Sequence, residues 1–387
     1  MATVMRTGPA GRVLSLQPLA LAEILVLGRK HGAVDLAVGS PSFPSVDPGF
    51  IESACAALRD GHNQYDDPAG NKDLRAVAAT AHGAEPDAEI TVTAGATEGL
   101  NVVLQSLVQP GDEVVVLEPF FEAYALAIRL AGACPRFVRL HAPDWRWDPA
   151  ELAAAFGPRT RAVIINSPHN PTGRVFSAAE LSDVARLCVA WDSVIISDEV
   201  YTEFVADAGA AALPAAADPA AVTVVLRSLS KSHALSGWRI GWVYAPPELT
   251  RIFRMVHETL LVGCAAPLQV AAADLLRKVP GWSDAERSAL IRKRLRLHEA
   301  VVAAGLSCPV PQGCAYLFAR LPPNAPAASE LVRRLASECH LLAAPGTLFF
   351  ADQAAGERYL RLAYNKSDDV LDRAIALLAT HVSPVLR

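Results

Sequence analysis

This chain of 387 residues has neither an excess of basic residues nor a long uncharged apolar run. Without the first there is no electrostatic footprint for nucleic acid: 35 Lys and Arg stand against 40 Asp and Glu, a formal charge of −5. Without the second, which would need about 18 residues, no membrane-spanning helix is expected. The stretch VLSLQPLALAEILVLG (13–28) comes nearest, but Gln17, Pro18 and Glu23 interrupt it, so it reads as an amphipathic helix and not as a signal peptide. The seven cysteines are scattered, odd in number and free of any C-x-x-C pair. That spacing argues against a zinc site or a disulfide framework and suits reduced thiols in a cytoplasmic protein. A G-x-G-x-x-G fingerprint is also missing, which speaks against a nicotinamide dehydrogenase. What remains is a protein that handles a small molecule, long enough for one large α/β domain and a smaller one.

The runs EVVVLEP (113–119), RAVIINSP (161–168), SVIISDEV (193–200) and VTVVLRS (222–228) alternate with helical patterns. Near-continuous apolar strands separated by helices predict a mostly parallel sheet covered on both faces. One helix follows TAGATEG (93–99), with Leu100, Val103, Leu104, Leu107 and Val108 on one face before Pro110 and Gly111 end it. Another starts at Ser177 with Glu180 completing a capping box, and a last one is capped by Ser367 ahead of Asp368 and Asp369. Beyond residue 275 the texture shifts to charged helix and Pro-rich loops. The reading is a large domain over 45–275 and a small domain made of 1–44 with 276–387. The Ala-rich stretch 208–221 reads as a surface excursion.

In open α/β sheets the ligand sits beyond the carboxyl ends of the strands, so the residues after each apolar run are the ones to inspect. They are NSPHNPTG after 161–165, SDEVY after 193–196 and RSLSK after 222–226. Lys231 sits in SLSKSHALSGWRIGW (228–242), among serines, glycine and Arg239. That company suits a sheltered amine nucleophile better than a solvated lysine. TAGATEG feeds a helix N-terminus, a ready anion site that Ser228, Ser230 and Arg239 can complete. Asp198 ends an apolar strand, where a carboxylate needs a cation. Tyr201 and Asn170 add neutral donors, and Phe121 adds a flat apolar face. Together these groups describe a pocket for pyridoxal 5′-phosphate.

YDDPAGNKDLR (65–75), TAGATEG, EPFFEAY (118–124), NSPHNPTG (166–173), SDEVY (197–201), SKSHALSGWRIGW (230–242) and YLRLAY (359–364) occur in an order that spans nearly the whole chain. In this the sequence resembles a class I/II aminotransferase of the fold-type I pyridoxal-phosphate enzymes, nearest the kynurenine/glutamine and aspartate-type branches. The resemblance implies that Lys231 carries the cofactor covalently and moves the proton at the substrate's Cα. Asp198 would pair with the pyridine nitrogen. Tyr201 and Asn170 would bond the ring oxygen, and Phe121 would stack on the ring. Ala96, Thr97, Ser228, Ser230 and Arg239 would hold the phosphate, joined by Tyr65 from a second subunit of a homodimer. Arg361 would clamp the α-carboxylate with help from Asn170 and the Gly39 backbone. His169 reads as a supporting histidine. The expected reaction is ping-pong transfer of an amino group from an L-amino acid to a 2-oxo acid, with no metal.

Aspartate-type enzymes add a side-chain-binding arginine where HETLLVGCAAPLQ (257–269) offers only Val262 and Gly263. Dicarboxylate specificity by that route is therefore not expected. Glu98 or Glu258 could face a cationic substrate, although a solvated helix face is the plainer reading for both. Phe350 stands where the family often has a small residue near Arg361. The nearest alternative is a β-eliminating carbon–sulfur or cyclising lyase on the same fold, some members of which carry His where this chain has Tyr201. A ligand-sensing regulator of this fold would need a winged helix-turn-helix ahead of it, for which residues 1–44 are too short.

Overall fold

The computed structural model describes residue 8 and residues 10–14, 20–205 and 218–386. The four apolar runs become neighbouring strands, Glu113–Glu118, Thr160–Asn166, Val194–Asp198 and Thr223–Ser228, all parallel. They form the centre of an eight-stranded sheet ordered Ile90–Thr93, Gly241–Tyr244, Thr223–Ser228, Val194–Asp198, Thr160–Asn166, Glu113–Glu118, Cys134–His141, Arg146–Trp147. Gly241–Tyr244 runs against both of its neighbours, and Arg146–Trp147 is antiparallel at the far edge. The fold is thus α/β around a mixed, mostly parallel sheet.

The runs are apolar throughout because both faces are covered. Val115, Leu117, Val163 and Ile165 point into one core, and Val114, Val116, Ala162 and Ile164 into another, as a period of two requires. Each of these Val, Leu and Ile side chains contributes about 1.5–3 kcal/mol relative to exposure. A smaller antiparallel sheet joins Tyr316–Arg320, Tyr359–Ala363 and Ala344–Pro345, while Val34–Asp35 pairs in parallel with Leu341–Leu342. The pairing with Leu341–Leu342 carries residues 34–35 over to the C-terminal segment. Leu317, Leu360 and Leu362 share their core with Val115 and Val163, so apolar packing continues from the large sheet into the small one.

The helix after TAGATEG spans Gly95–Leu107 and buries Leu100, Val103 and Leu104. The Ser177–Glu180 capping box heads Ala178–Ala190, and a second one, Ser283–Glu286, heads the charged helix Asp284–Ala303. Ser367 does stand at the N-cap of Asp368–Leu377, but its side chain accepts no helical N–H. Its backbone N–H instead donates to Ser42 Oγ at 2.7 Å, because this helix start is tied to the N-terminal segment. The helix expected over 13–28 is seen as Gly11–Leu14 and Ala20–His31, and residues 15–19 lie outside the described residues. So does most of the Ala-rich stretch, which falls in 206–217.

Gly241 fixes where the first turn of Gly95–Leu107 sits. A Cβ there would lie 2.5 Å from Arg227 O and 2.9 Å from Gly95 Cα, both backbone atoms that have little freedom to yield. Gly241→Ala is therefore expected to cost about 1–3 kcal/mol through overpacking, read as a lower midpoint in chemical denaturation. An unchanged midpoint would refute this tight apposition.

Candidate active site

Because the central strands are parallel, their carboxyl ends open on the same side. Asn166 and Asp198 are direct neighbours in register at the ends of Thr160–Asn166 and Val194–Asp198, and Ser228 ends the next strand. All three line a cavity of about 230 Å³, which Lys231, Arg239 and Arg361 also enter. The motifs read from the sequence thus converge on one place.

Lys231 lies in the short helix Leu229–Ser232, whose start is capped by Ser228 Oγ accepting from Ser230 N. Its Nζ donates to Gly39 O at 2.9 Å. Burial, reinforced by the Arg361 guanidinium, lowers its pKa to about 8. Asp198 is buried, and burial raises its pKa against the opposing hydrogen bond from Tyr124. Tyr124 Oη donates to Asp198 Oδ2 at 2.5 Å, and Val200 N to Oδ1 at 3.3 Å. No ion-pair partner for Asp198 occurs among the described residues. A carboxylate held this way is poised for a cation supplied by a ligand.

Asn166 braces the same spot. Its Nδ2 donates to Asp198 O at 2.9 Å and its Oδ1 accepts from Asn170 N at 2.7 Å. Asn170 Oδ1 in turn accepts from Arg361 Nη1 at 2.9 Å, which leaves the Asn170 amide NH₂ to donate elsewhere. Arg361, only 2% exposed, also donates from Nη2 to Ala37 O at 2.8 Å, while its Nε has no partner. Its guanidinium lies 4.1 Å from the centre of the Tyr316 ring and 4.6 Å from that of Phe349. Tyr316 Oη is 2.9 Å from Tyr201 Oη. The result is a continuous polar chain from Asp198 to Arg361.

At the other end of the cavity, Ala96 and Thr97 lie in the first turn of Gly95–Leu107. Arg239 takes a left-handed backbone, φ 53°, which sets its Nη1 2.8 Å from Ser236 O and 3.4 Å from Ser230 Oγ. Gly95, at φ 77°, leaves room for it, since a Cβ there would meet Arg239 Nη2 at 2.6 Å. Ser228 Oγ lies 2.8 Å from Ser230 Oγ. Helix N–H groups, two hydroxyls and a guanidinium make an anion cradle. Phe121 lines the cavity edge-on to Tyr124, ring centres 5.6 Å apart.

Some expected residues lie elsewhere in the chain. Tyr65 is 86% exposed and outside the cavity. Glu98 is not a solvated or substrate-facing carboxylate: it accepts from Ala94 N at 2.6 Å and lies 2.6 Å from Nδ1 of the fully buried His257. Glu258 is exposed. Phe350 is a core aromatic, with Arg139 above its ring at 4.9 Å. His169 lies 2.7 Å from Thr172 Oγ1 and is held neutral, its pKa lowered to about 3 by burial, which fits a supporting role. Three site residues escaped the sequence reading. Tyr124 follows Phe121 by one helical turn, and Asn166 opens the NSPHNPTG motif, so both carried a usable signal. Tyr316 carried none.

Because the neutral amine is the nucleophile, a pKa near 8 sets the pH at which Lys231 becomes reactive. Reductive alkylation of Lys231 by a small aldehyde should speed up about tenfold per pH unit below that point and level off above it. A rate still rising beyond pH 9.5, as for an exposed lysine of ordinary pKa about 10.4, would contradict the sheltered environment.

The family described as aminotransferase class I and II matches residues 32–378. A probable N-succinyldiaminopimelate aminotransferase of Mycobacterium tuberculosis is 36% identical, over 95% of this chain and 98% of its own. Human kynurenine–oxoglutarate transaminase 1 is 31% identical over 90% of this chain and 92% of its own. Among solved structures, the Mycobacterium tuberculosis N-succinyldiaminopimelate aminotransferase superposes with a TM-score of 0.91 at 33% identity, covering 96% of this chain and 99% of the other. Escherichia coli YbdL, with an identified methionine aminotransferase function, superposes with a TM-score of 0.88 at 29% identity, covering 96% and 99%. With its lysine, buried carboxylate and arginine gathered at the strand ends, the chain belongs to the class I and II aminotransferases and is an enzyme of amino-group transfer.

Proposed function

We propose that this aminotransferase works with pyridoxal 5′-phosphate, moving the amino group of an L-amino acid to a 2-oxo acid in two half-reactions. The observation that carries the reading is one cavity holding a sheltered amine, a buried carboxylate without a cation and an arginine with an unsatisfied donor. The residues present fit the cofactor. The cradle of Ala96, Thr97, Ser228, Ser230 and Arg239 suits its phosphate, and Asp198 suits a protonated ring nitrogen. When bound, the cofactor supplies an aldehyde that takes up an amino group and a cationic ring that withdraws electrons from the Cα–H bond.

The protein's own groups do the rest. Asp198 would hold the proton at the ring nitrogen, with Tyr124 and Val200 N fixing its carboxylate and Asn166 its backbone carbonyl. Tyr201 and the free NH₂ of Asn170 donate to the ring oxygen, while Phe121 covers the ring. Lys231 would take the proton from the substrate's Cα and return it at the cofactor's C4′, on the far side of the shared nitrogen. Arg361 binds the α-carboxylate, which satisfies its orphan Nε, and the Gly39 backbone closes that end.

The enzyme is proposed to be a cytoplasmic homodimer. Its cysteines are free, and no helix among the described residues is long and apolar enough to cross a membrane. Tyr65 is reserved in this reading for the partner's phosphate. Supporting this, Gly263 packs near Pro68, a Cβ there lying 3.7 Å from its Cα, and Leu260, Leu261 and Val262 are exposed beside it. The same reading divides the chain into 45–275, which bears Lys231 and Asp198, and 1–44 with 276–387, which bears Arg361. Val262 and Gly263 offer no cation for a side-chain carboxylate, so the substrate is not proposed to be aspartate.

Adding pyridoxal phosphate to the apoprotein should produce the visible absorbance of a lysine-bound cofactor, and Lys231→Ala should abolish both that band and turnover. A band that survives the substitution would refute the assignment. The wild-type band should then bleach with a subset of amino acids, screened to include methionine, kynurenine and N-succinyldiaminopimelate. Arg361→Lys should raise KM for the amino acid roughly 10- to 100-fold, with a smaller effect on kcat, because a planar two-pronged donor is lost.

A further inference from the structure

Five successive backbone carbonyls, from Leu36 to Ser40, are all engaged as acceptors. Leu36 O accepts from Ala363 N at 2.7 Å and Ala37 O from Arg361 Nη2 at 2.8 Å. Gly39 O accepts from Lys231 Nζ at 2.9 Å and from Asn365 Nδ2 at 3.3 Å. Val38 O and Ser40 O share one donor, Lys366 Nζ, at 2.7 and 3.2 Å. From the other side, Asp35 Oδ1 accepts from Ala37 N and Val38 N. Val38 and Gly39 form part of the cavity wall. At Gly39 the wall is bare backbone, for a Cβ would fall 1.7 Å from Tyr316 Oη.

Lys366 has no part in the chemistry described above. It is 6% exposed and has no carboxylate within ion-pair distance among the described residues. Burying an ammonium with only neutral acceptors is costly, and a small polar side chain would avoid that cost. Its two acceptors straddle Gly39, so what the charge achieves is the path of the backbone at the cavity wall. The other charged donors on this segment, Arg361 and Lys231, are the groups that turn to substrate and cofactor. Once they do, the carbonyls of Ala37 and Gly39 lose those partners. Lys366 and Asn365 are then the side-chain donors left on its carbonyls.

We propose that Lys366 is a positioning residue for transamination, fixing the strap Val38–Ser40 against the substrate end of the cavity while Arg361 and Lys231 exchange backbone acceptors for ligand. The proposal rests on the reading of Arg361 as the carboxylate clamp. In holoenzyme carrying pyridoxal phosphate, Lys366→Met should leave the bound-cofactor band in place. It should weaken half-saturation of the first half-reaction by an amino acid roughly 10- to 100-fold, the loss of a hydrogen bond from a charged donor. The limiting rate should change less than about threefold. Lys366→Arg should recover most of the loss, and hydrogen exchange over 36–40 should be faster in Lys366→Met than in wild type. Unchanged half-saturation overturns the proposal. So does a parallel loss of cofactor and limiting rate that Lys366→Arg does not relieve, since that marks a merely structural lysine. If Lys366→Met fails to fold, Lys366→Gln serves the same comparison. If wild-type holoenzyme converts no amino acid, the clamp reading fails on its own account. Hydrogen exchange then still decides on Lys366, and equal rates would overturn it.

Discussion

A carboxylate buried at the end of a central strand, with no ion-pair partner among the described residues, is the feature on which the site depends. Removing Asp198 from water costs several kcal/mol unless a positive charge meets it, and burial accordingly raises its pKa. The protein surrounds it with neutral hydrogen bonds, from Tyr124 Oη and Val200 N. These orient the carboxylate without neutralising it. The electrostatic demand left over is what a cationic ring would meet, and the sheet that carries Asp198 pays for it with two apolar cores.

Asp198 and Arg361 belong to different sheets, yet they are mechanically linked. Asn166 bonds the Asp198 carbonyl and the Asn170 N–H, and Asn170 bonds Arg361. A displacement at either end would have to stretch hydrogen bonds of 2.7–2.9 Å in a buried environment, where an unmade bond carries its full desolvation cost. The two ligand-facing charges therefore hold a defined separation. Arg361 further relies on the rings of Tyr316 and Phe349 around its guanidinium, which suit a weakly hydrated planar cation better than an ammonium.

The strap at 36–40 illustrates a different economy. Lys231 and Arg361 rest on backbone carbonyls of this segment, so neither charge is left bare in the folded chain. Because a main-chain carbonyl is a weaker partner for a cation than a carboxylate or phosphate, such contacts satisfy the donors while leaving them free to exchange. Lys366 differs in that it spans Gly39, donating to the carbonyls of Val38 and Ser40 on either side of it.

Much of this was legible in short motifs because parallel strands deliver whatever follows them to a common edge. NSPHNPTG, SDEVY and RSLSK each begin where an apolar run stops, and a short apolar run bounded by polar residues is a local signal. The TAGATEG loop with Gly95 and the serines near Lys231 were likewise readable as a turn and an anion cradle. Tyr316, Lys366 and the Glu98–His257 pair were not, since each depends on which distant segment packs against it. His257 is 159 positions from Glu98 in sequence, and no periodicity relates them.

By itself, then, the sequence pointed to the mostly parallel α/β class and the strand-end motifs through its apolar runs and local turn chemistry, and to the amine, the acid and the arginine through its family resemblance. Only the tertiary structure decided which second-rank groups hold them: the phenol on Asp198, the ring over Arg361, and the lysine behind Gly39. Those choices arise from packing between segments distant in sequence, 74 positions apart for Tyr124 and Asp198 and 328 for Lys366 and Val38, so the pairing itself leaves no local trace.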